Sequence, residues 1–278
     1  MNKPNLYHRA NGVQRRDAKE ILVEHGHLLR WKENNKDSLL DIGCGSGDVL
    51  IDFIVPMMPH NYARILGTDI SDQMVRFARK VHSSRKNIYF DTLDIGGDIS
   101  RFTKKWGSFD HITSFYCLHW VRYQSSAFSN IYNLLNPEGD CLLVFLARNP
   151  IFDIYDQLSR STKWSKYMTD VDKYISPYQY CENPAGEIEE NLSSVGFAKY
   201  KIHISDKNYV YEGIDSLKKA VQAVNPFSER MPLDLQENFL NDYIGVVRKM
   251  SLSENCCGAE NDYKFITPYK LVVVYAVK

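Results

Sequence analysis

The sequence predicts an α/β fold, a mostly parallel sheet with helices on both faces. Three observations predict it. Five strand-like apolar runs alternate with stretches of helical periodicity between Val13 and Ala147, the pattern of β-α-β units whose crossovers cover both faces of a sheet. A glycine loop, Gly43-Cys-Gly-Ser-Gly47, joins the first run to the helical stretch after it. An acid or hydroxyl, Asp41, Asp69, Asp94 or Ser114, stands at or near the end of four runs, and open parallel sheets bind ligands beyond the carboxyl ends of their strands.

Taken in order, residues 1–12 are polar and show no regular pattern. From Val13 to Trp31 the apolar positions Val13, Ala18, Ile21, Leu22, Leu28 and Leu29 fall near helical spacing, which predicts a helix ending or interrupted near Gly26. Gln14 lies in its first turn. Ser38-Leu-Leu-Asp-Ile42 is the first strand, and Val49-Leu-Ile-Asp-Phe-Ile54 begins the next helical run. Glycine lacks a Cβ, so the loop between them can take positive φ and let a ligand lie against its backbone. Its spacing, G-x-G-x-G after an acid, is tighter than the dinucleotide fingerprint G-x-G-x-x-G. A carboxylate at Asp41 repels a pyrophosphate but can bind a ligand's ammonium group, directly or through water.

Arg64-Ile-Leu-Gly-Thr-Asp69 is the second strand. Asp69 follows Gly47 by 22 residues, close to the separation at which a ribose-binding acid sits in a β-α-β nucleotide site. Ser71 is an N-cap for a helix from Gln73 to about His82. Asn87–Asp94 is the third strand; Asp94 and Ile95 would meet an adenine's amino group and ring face, although an Asp before Gly96-Gly97 also forms turns. Phe109 to Val121 is the fourth strand running into the loop Cys117-Leu-His-Trp120. Ala127–Leu135 is helical, Asn136-Pro-Glu-Gly139 is a turn, and Asp140–Ala147 is a buried fifth strand.

After Pro150 the character changes. Ile151, Phe152, Ile154, Tyr155 and Leu158 form a helical stripe, and Glu187–Val195 is a helix closed by Gly196. Tyr200–Ser205 and Tyr209–Tyr211 alternate like strands joined by a turn or bulge near Asp206. Ile214–Val224 and Leu233–Met250 are amphipathic helices around Asn225-Pro-Phe227. Cys256–Asp262 is a polar loop, and Leu271–Val277 is a last strand, antiparallel in the edge region of the sheet.

The chain has 278 residues, 34 basic and 34 acidic, so its formal net charge is zero. That argues against nucleic-acid binding by bulk electrostatics. The 18 Tyr and 13 Phe suit a core and an apolar pocket. No apolar run is long enough to span a bilayer, and the first residues lack the apolar stretch of a secretory signal. Six irregularly spaced cysteines, with no C-x-x-C pair, read as reduced thiols. No histidine spacing suggests a metal. A cytoplasmic protein without a structural metal or membrane insertion is expected; a homodimer is compatible with the sequence, which does not fix the oligomeric state.

Asp41–Gly47 and Gly67-Thr-Asp-Ile-Ser71 resemble the first two motifs of class I S-adenosylmethionine-dependent methyltransferases. Five further stretches carry a more specific resemblance, over nearly the whole chain, to the insect juvenile hormone acid methyltransferases: Phe115-Tyr-Cys-Leu-His-Trp-Val121, Phe145-Leu-Ala-Arg-Asn-Pro-Ile-Phe152, Lys166-Tyr-Met-Thr-Asp170, Tyr174-Ile-Ser-Pro-Tyr178 and Ala223-Val-Asn-Pro-Phe227. The resemblance implies one Rossmann-like domain over residues 1–278 with a seven-stranded, mostly parallel sheet. Residues 1–150 would bind S-adenosylmethionine. Residues 151–278 would supply the substrate side, a lid at about 214–250 and the last two strands. Cofactor contacts fall on Asp41, Gly43, Gly45, Asp69, Ile70, Asp94, Ile95 and Ser114. The implied substrate is a sesquiterpenoid carboxylic acid, juvenile hormone acid or farnesoic acid, whose carboxylate Gln14 and Trp120 would hold.

Chemistry supports neutral donors at those two positions. A carboxylate is ionised at pH 7 and needs no base, so alignment with the sulfonium methyl is what remains, an effect worth up to about 7–11 kcal/mol. An amide and an indole N–H point the oxygen without protonating it. The long acid would lie in an apolar pocket, for which Phe115, Leu118, Val121, Ile151, Tyr155, Val224 and Phe227 are candidates. His119 is either a packed wall residue or a donor to the carboxylate. Three alternatives stay open: a methyltransferase for a hydroxyl or amine acceptor with His119 as base, one for another small carboxyl acceptor, and a catalytically silent binder of the terpenoid or cofactor. The glycine spacing and Asp41 disfavour a nicotinamide oxidoreductase.

Overall fold

The structure, a computed structural model, describes residues 3–34, 36–255 and 263–278. The loop expected at 256–262, with Cys256 and Cys257, lies outside them. The central sheet runs in the order β3-β2-β1-β4-β5-β8-β6, with a short β7 paired to β8 off this path. Strands β1 (Ser38–Ile42), β2 (Arg64–Asp69), β3 (Ile88–Thr92), β4 (Phe109–Phe115) and β5 (Leu135–Arg148) are mutually parallel. β8 (Tyr263–Val277) inserts antiparallel between β5 and β6 (Lys199–Glu212), and β7 is Ser253–Asn255. β1 and β4 are neighbours although the chain visits β2 and β3 between them. The order reverses there, which opens a crevice at their carboxyl ends.

Alternation along the strands feeds two cores. Leu40, Ile42, Leu143 and Phe145 face one way, against α4 (Ser100–Trp106), α5 (Gln124–Leu134) and α7 (Pro184–Val195). Leu39, Leu142 and Val144 face the other way, against α2 (Gly12–His25), a short helical segment at Leu50–Ile54 and α3 (Asp72–Val81). A third core forms between α6 (Pro150–Ser159), α8 (Ile214–Val224) and α9 (Leu233–Lys249), built on Tyr155, Trp164, Phe227 and Phe239. At the opposite ends of the strands, buried His111 of β4 lies between Asp140 (2.6 Å) and Asp37 (3.0 Å).

Four details differ from the sequence expectation. Residues Pro4–Ala10 form a helix, α1, with Pro at its start, where a missing N–H costs nothing. Its few apolar residues gain their stability from packing: Tyr7 joins Met74 and Ala223 in a small core with Leu6, Ala10 and Val224 at its margin. β6 is one continuous strand whose register with β8 runs unbroken from Lys199↔Val277 to Glu212↔Lys264, because every residue through Asp206 finds a partner. β8 is therefore interior, and β6 is the edge. The turn at 136–139 is absorbed as a register shift between β4 and β5.

Candidate functional site

Two cavities adjoin at the crevice. The first, with about 1320 Å³ of empty volume counted to its open mouth, lies beyond the carboxyl ends of β1 to β4. Ile42, Gly43, Asp69, Ile70, Asp94 and Ile95 line it, and Cys117, Val121 and Tyr123 complete its wall. The second, about 910 Å³ on the same basis, lies under α2, α6, α8 and α9; Gln14, His119, Ile151, Leu217, Val221 and Tyr243 are among its walls. Tyr116, Trp120 and Val224 line both.

The glycine loop makes the first cavity. Gly43, Gly45 and Gly47 all have positive φ, +74°, +57° and +83°, a backbone L side chains rarely adopt. A Cβ at Gly43 would lie 2.5 Å from the Cys117 sulfur, so only glycine lets β1 and the loop after β4 approach. Asp69 accepts hydrogen bonds from the N–H groups of Gly45 (3.0 Å) and Ser71 (2.8 Å); burial raises its pKa against those two donors. Asp41 is 2% exposed and accepts from the Thr113 hydroxyl at 2.8 Å. Burial pushes it up to about 7, opposed by that bond and reinforced by the charges of Asp69 and Asp48. Asp94 accepts from the Gly96 N–H at 3.0 Å and remains exposed. Acids with apolar neighbours suit a ligand with an ammonium group, ribose hydroxyls and an adenine, and they oppose a pyrophosphate. The donor set therefore fits S-adenosylmethionine.

Not every expected contact reaches this cavity. Ser114 is fully buried, and its hydroxyl donates to the Ile42 carbonyl at 2.9 Å, bridging β4 to β1. Asp41 and Gly45 lie behind the lining; the Tyr7 ring of α1 lies 3.1 Å from where a Gly45 Cβ would be. Burial holds the Cys117 thiol up at about 12, so it is no nucleophile. Among the described residues, no group of three or more His, Cys, Asp and Glu could hold a metal ion.

In the second cavity, Gln14 sits in the first turn of α2, and its amide oxygen is buried with no hydrogen-bond partner. That oxygen only accepts, so the group of Gln14 that can hold an anionic ligand is its amide NH2. Trp120 follows the fourth strand through a sharp change of direction. Tyr116 has φ +57°, a conformation that costs a bulky residue about 1–3 kcal/mol, and the chain then closes a tight turn at Leu118–Trp120. His119 is 1% exposed, and its Nδ1 accepts the Leu146 N–H at 3.3 Å. That bond assigns the proton to Nε2, and burial pushes the imidazole down to about 3. Its only lone pair is thus engaged, so it is a neutral donor and not a base.

α2 is anchored on both sides of Gln14. Asn11 and Arg15 donate to Asp48 at 2.6 and 2.9 Å, and Ser46 donates to its other oxygen at 2.7 Å. Against burial, these bonds hold Asp48 below its usual range. Asp17, one turn on, is fully buried and accepts from Tyr116 and Tyr269, both at 2.6 Å.

The expected substrate pocket is partly corrected. Ile151, Val224 and His119 line the second cavity. Val121 lines the first instead. Phe115, Leu118, Tyr155 and Phe227 line neither. Phe115 and Leu118 are drawn into the two sheet cores, and Tyr155 packs edge-on against Phe227 at 5.2 Å inside the third core. The sequence reading missed Tyr116, Tyr7, Leu217, Val221 and Tyr243. Leu217, Val221 and Val224 share one helical face by their spacing, a signal already present in the sequence.

Comparison with known proteins agrees with this geometry. A family model described as a methyltransferase domain matches residues 40–141. Two curated relatives named juvenile hormone acid O-methyltransferase, from Drosophila melanogaster and Bombyx mori, are 48% and 44% identical, over 100% of this chain and 93% and 98% of theirs. Among solved structures, the YcgJ protein of Bacillus subtilis superposes with a TM-score of 0.59 at 16% identity, over 95% of this chain and 98% of that one. Phosphoethanolamine N-methyltransferase 2 of Haemonchus contortus, solved with S-adenosylhomocysteine, gives 0.53 at 15%, over 95% and 53%. At such identities these two likenesses are of fold alone: a class I methyltransferase sheet.

Proposed function

The chain belongs to the juvenile hormone acid O-methyltransferase family, and on that footing we propose that it transfers a methyl group from S-adenosylmethionine to the carboxylate of juvenile hormone acid or farnesoic acid, forming the methyl ester in juvenile hormone biosynthesis. One observation carries this assignment: Trp120 borders both cavities, and Gln14, whose amide NH2 can donate, lines the second. An anionic oxygen held by those two groups would meet a methyl group arriving from the first.

When bound, the cofactor supplies an activated methyl on a sulfonium. Asp69 receives the ribose hydroxyls, Ile70, Asp94 and Ile95 the adenine, and Asp41 the ammonium through water. Gln14 and Trp120 orient the carboxylate without protonating it, and His119 is a neutral neighbour. The acid's chain lies along Ile151, Leu217, Val221 and Val224. About ten buried methylene-sized groups at about 0.8 kcal/mol each give ample gross affinity, before ordering costs. Residues 1–150 of this single domain serve the cofactor and 151–278 the acid. Residues 214–250 close over the bound acid and exclude water, and the enzyme works in the cytoplasm.

The test is incubation with methyl-labelled S-adenosylmethionine and a panel of farnesoic, epoxyfarnesoic and simple fatty acids, with esters identified by mass. Labelled terpenoid methyl ester is the expected product. Cofactor binding with no ester from any acid would leave a silent binder and overturn the proposal.

A further inference from the structure

We propose that Asp17 is a positioning residue, which acts through the Tyr116 hydroxyl to hold the loop carrying Trp120 at a fixed distance from Gln14. Asp17 and Gln14 are three residues apart on α2, so their side chains share a face of that helix. The Asp17 carboxylate is fully buried and takes four hydrogen bonds. Tyr116 and Tyr269 donate to Oδ2 at 2.6 Å each, and the Arg16 Nε and Nη2 donate to Oδ1 at 3.1 and 2.9 Å. Arg16 also donates to the Tyr269 oxygen at 2.6 Å and to the Asn208 carbonyl at 3.0 Å. The network therefore ties α2 to β8, to β6 and to the exit of β4.

Of these partners only Tyr116 leads directly into the reacting loop. Its φ of +57° turns the chain out of β4, and two bonds hold that conformation from opposite ends: its N–H donates to the Val144 carbonyl at 2.8 Å, and its hydroxyl donates to Asp17. A strained residue persists only where its surroundings over-determine it. Release of the hydroxyl lets the turn relax and moves Trp120 while Gln14 stays on its anchored helix. A misplacement of about 1 Å costs on the order of 100-fold in rate. Removing this hydroxyl leaves Asp17 with Tyr269 and Arg16, so no buried charge is orphaned.

The experiment, which rests on Gln14 and Trp120 being the donors, compares Tyr116→Phe in the parent and in a Trp120→Phe background, on the full chain with farnesoic acid and S-adenosylmethionine. Tyr116→Phe alone should lower kcat about 10- to 100-fold. In the Trp120→Phe background it should cost less than about threefold, because its effect runs through the indole already removed. Asp17→Asn should reproduce both results. If Trp120→Phe is slow but Tyr116→Phe keeps full kcat, or costs the same factor in both backgrounds, the positioning role is overturned and the donors stand. If Trp120→Phe is as fast as the parent, the donor assignment fails first and the positioning role falls with it.

Discussion

Lowering the pH from 8 to 5.5 separates a carboxylate acceptor from one that needs a base. Among the described residues, His119 is the one imidazole on the wall of the acid's cavity, and burial pushes it down to about 3. Relative to its ordinary value near 6.5, an imidazolium there is disfavoured by about 5 kcal/mol. At pH 5.5 fewer than about 1% of such groups are protonated, against about 90% of an unperturbed histidine. The substrate carboxylate, with a pKa of about 4–5, remains mostly ionised over the same range. Burial pushes Asp41 up to about 7, so the quantity to measure is kcat at saturating cofactor and acid. It should stay within about twofold from pH 8 to 5.5. A fall of about tenfold with a midpoint near 6.5 would mean that His119 gives up its bond to Leu146 and works as a base, and the assignment of a pre-ionised oxygen nucleophile would be wrong.

Three further outcomes follow from groups already placed. Affinity for adenosylhomocysteine, measured by calorimetry, should weaken by up to about tenfold per unit as pH falls below about 7, because a protonated Asp41 no longer attracts the ligand's ammonium; Asp41→Asn should bind weakly with no such slope, and a parent without the slope would remove Asp41 from the site. Ile151→Trp should raise the acid's KM about tenfold or more and leave cofactor affinity within about twofold, since Ile151 lines only the acid's cavity; an unchanged KM would take it out of the pocket. Asp140 and Asp37 raise the pKa of His111 despite burial. Its stabilisation is thus full below about pH 6.5 and is lost as pH rises through the raised folded value. Urea unfolding should show the parent's margin over His111→Asn shrinking between pH 6 and 9, and a margin that grew would reverse the sign.

What was legible in the sequence was local. The strand-glycine-helix junction, the acid ending β2 and the Ser71 cap are set by neighbours in the chain, and each appears where its pattern put it. Residues whose place depends on a distant partner were not legible. α1 has too few apolar residues to announce itself, and it is explained by Gly45, by Met74 of α3 and by α8. Phe115 and Leu118 stand beside site residues in sequence, yet strand alternation and a tight turn send them into the cores. Tyr155 and Phe227 are apolar enough for a pocket, but they meet each other first. Asp17 reads as an ordinary surface acid of a helix until Tyr116 and Tyr269, 99 and 252 residues away, close on it.

Tyr116, Trp120 and Val224 are common property of the two chambers, and this imposes a bookkeeping that neither ligand escapes. Whatever one guest does to the partition alters the free energy of the other's arrival, and a thermodynamic cycle makes the two effects equal. An acid whose branched chain presses on Val224 must change the enzyme's grip on spent cofactor by the same factor that spent cofactor changes its grip on the acid. Enlarging Val224 would therefore disturb both occupants together.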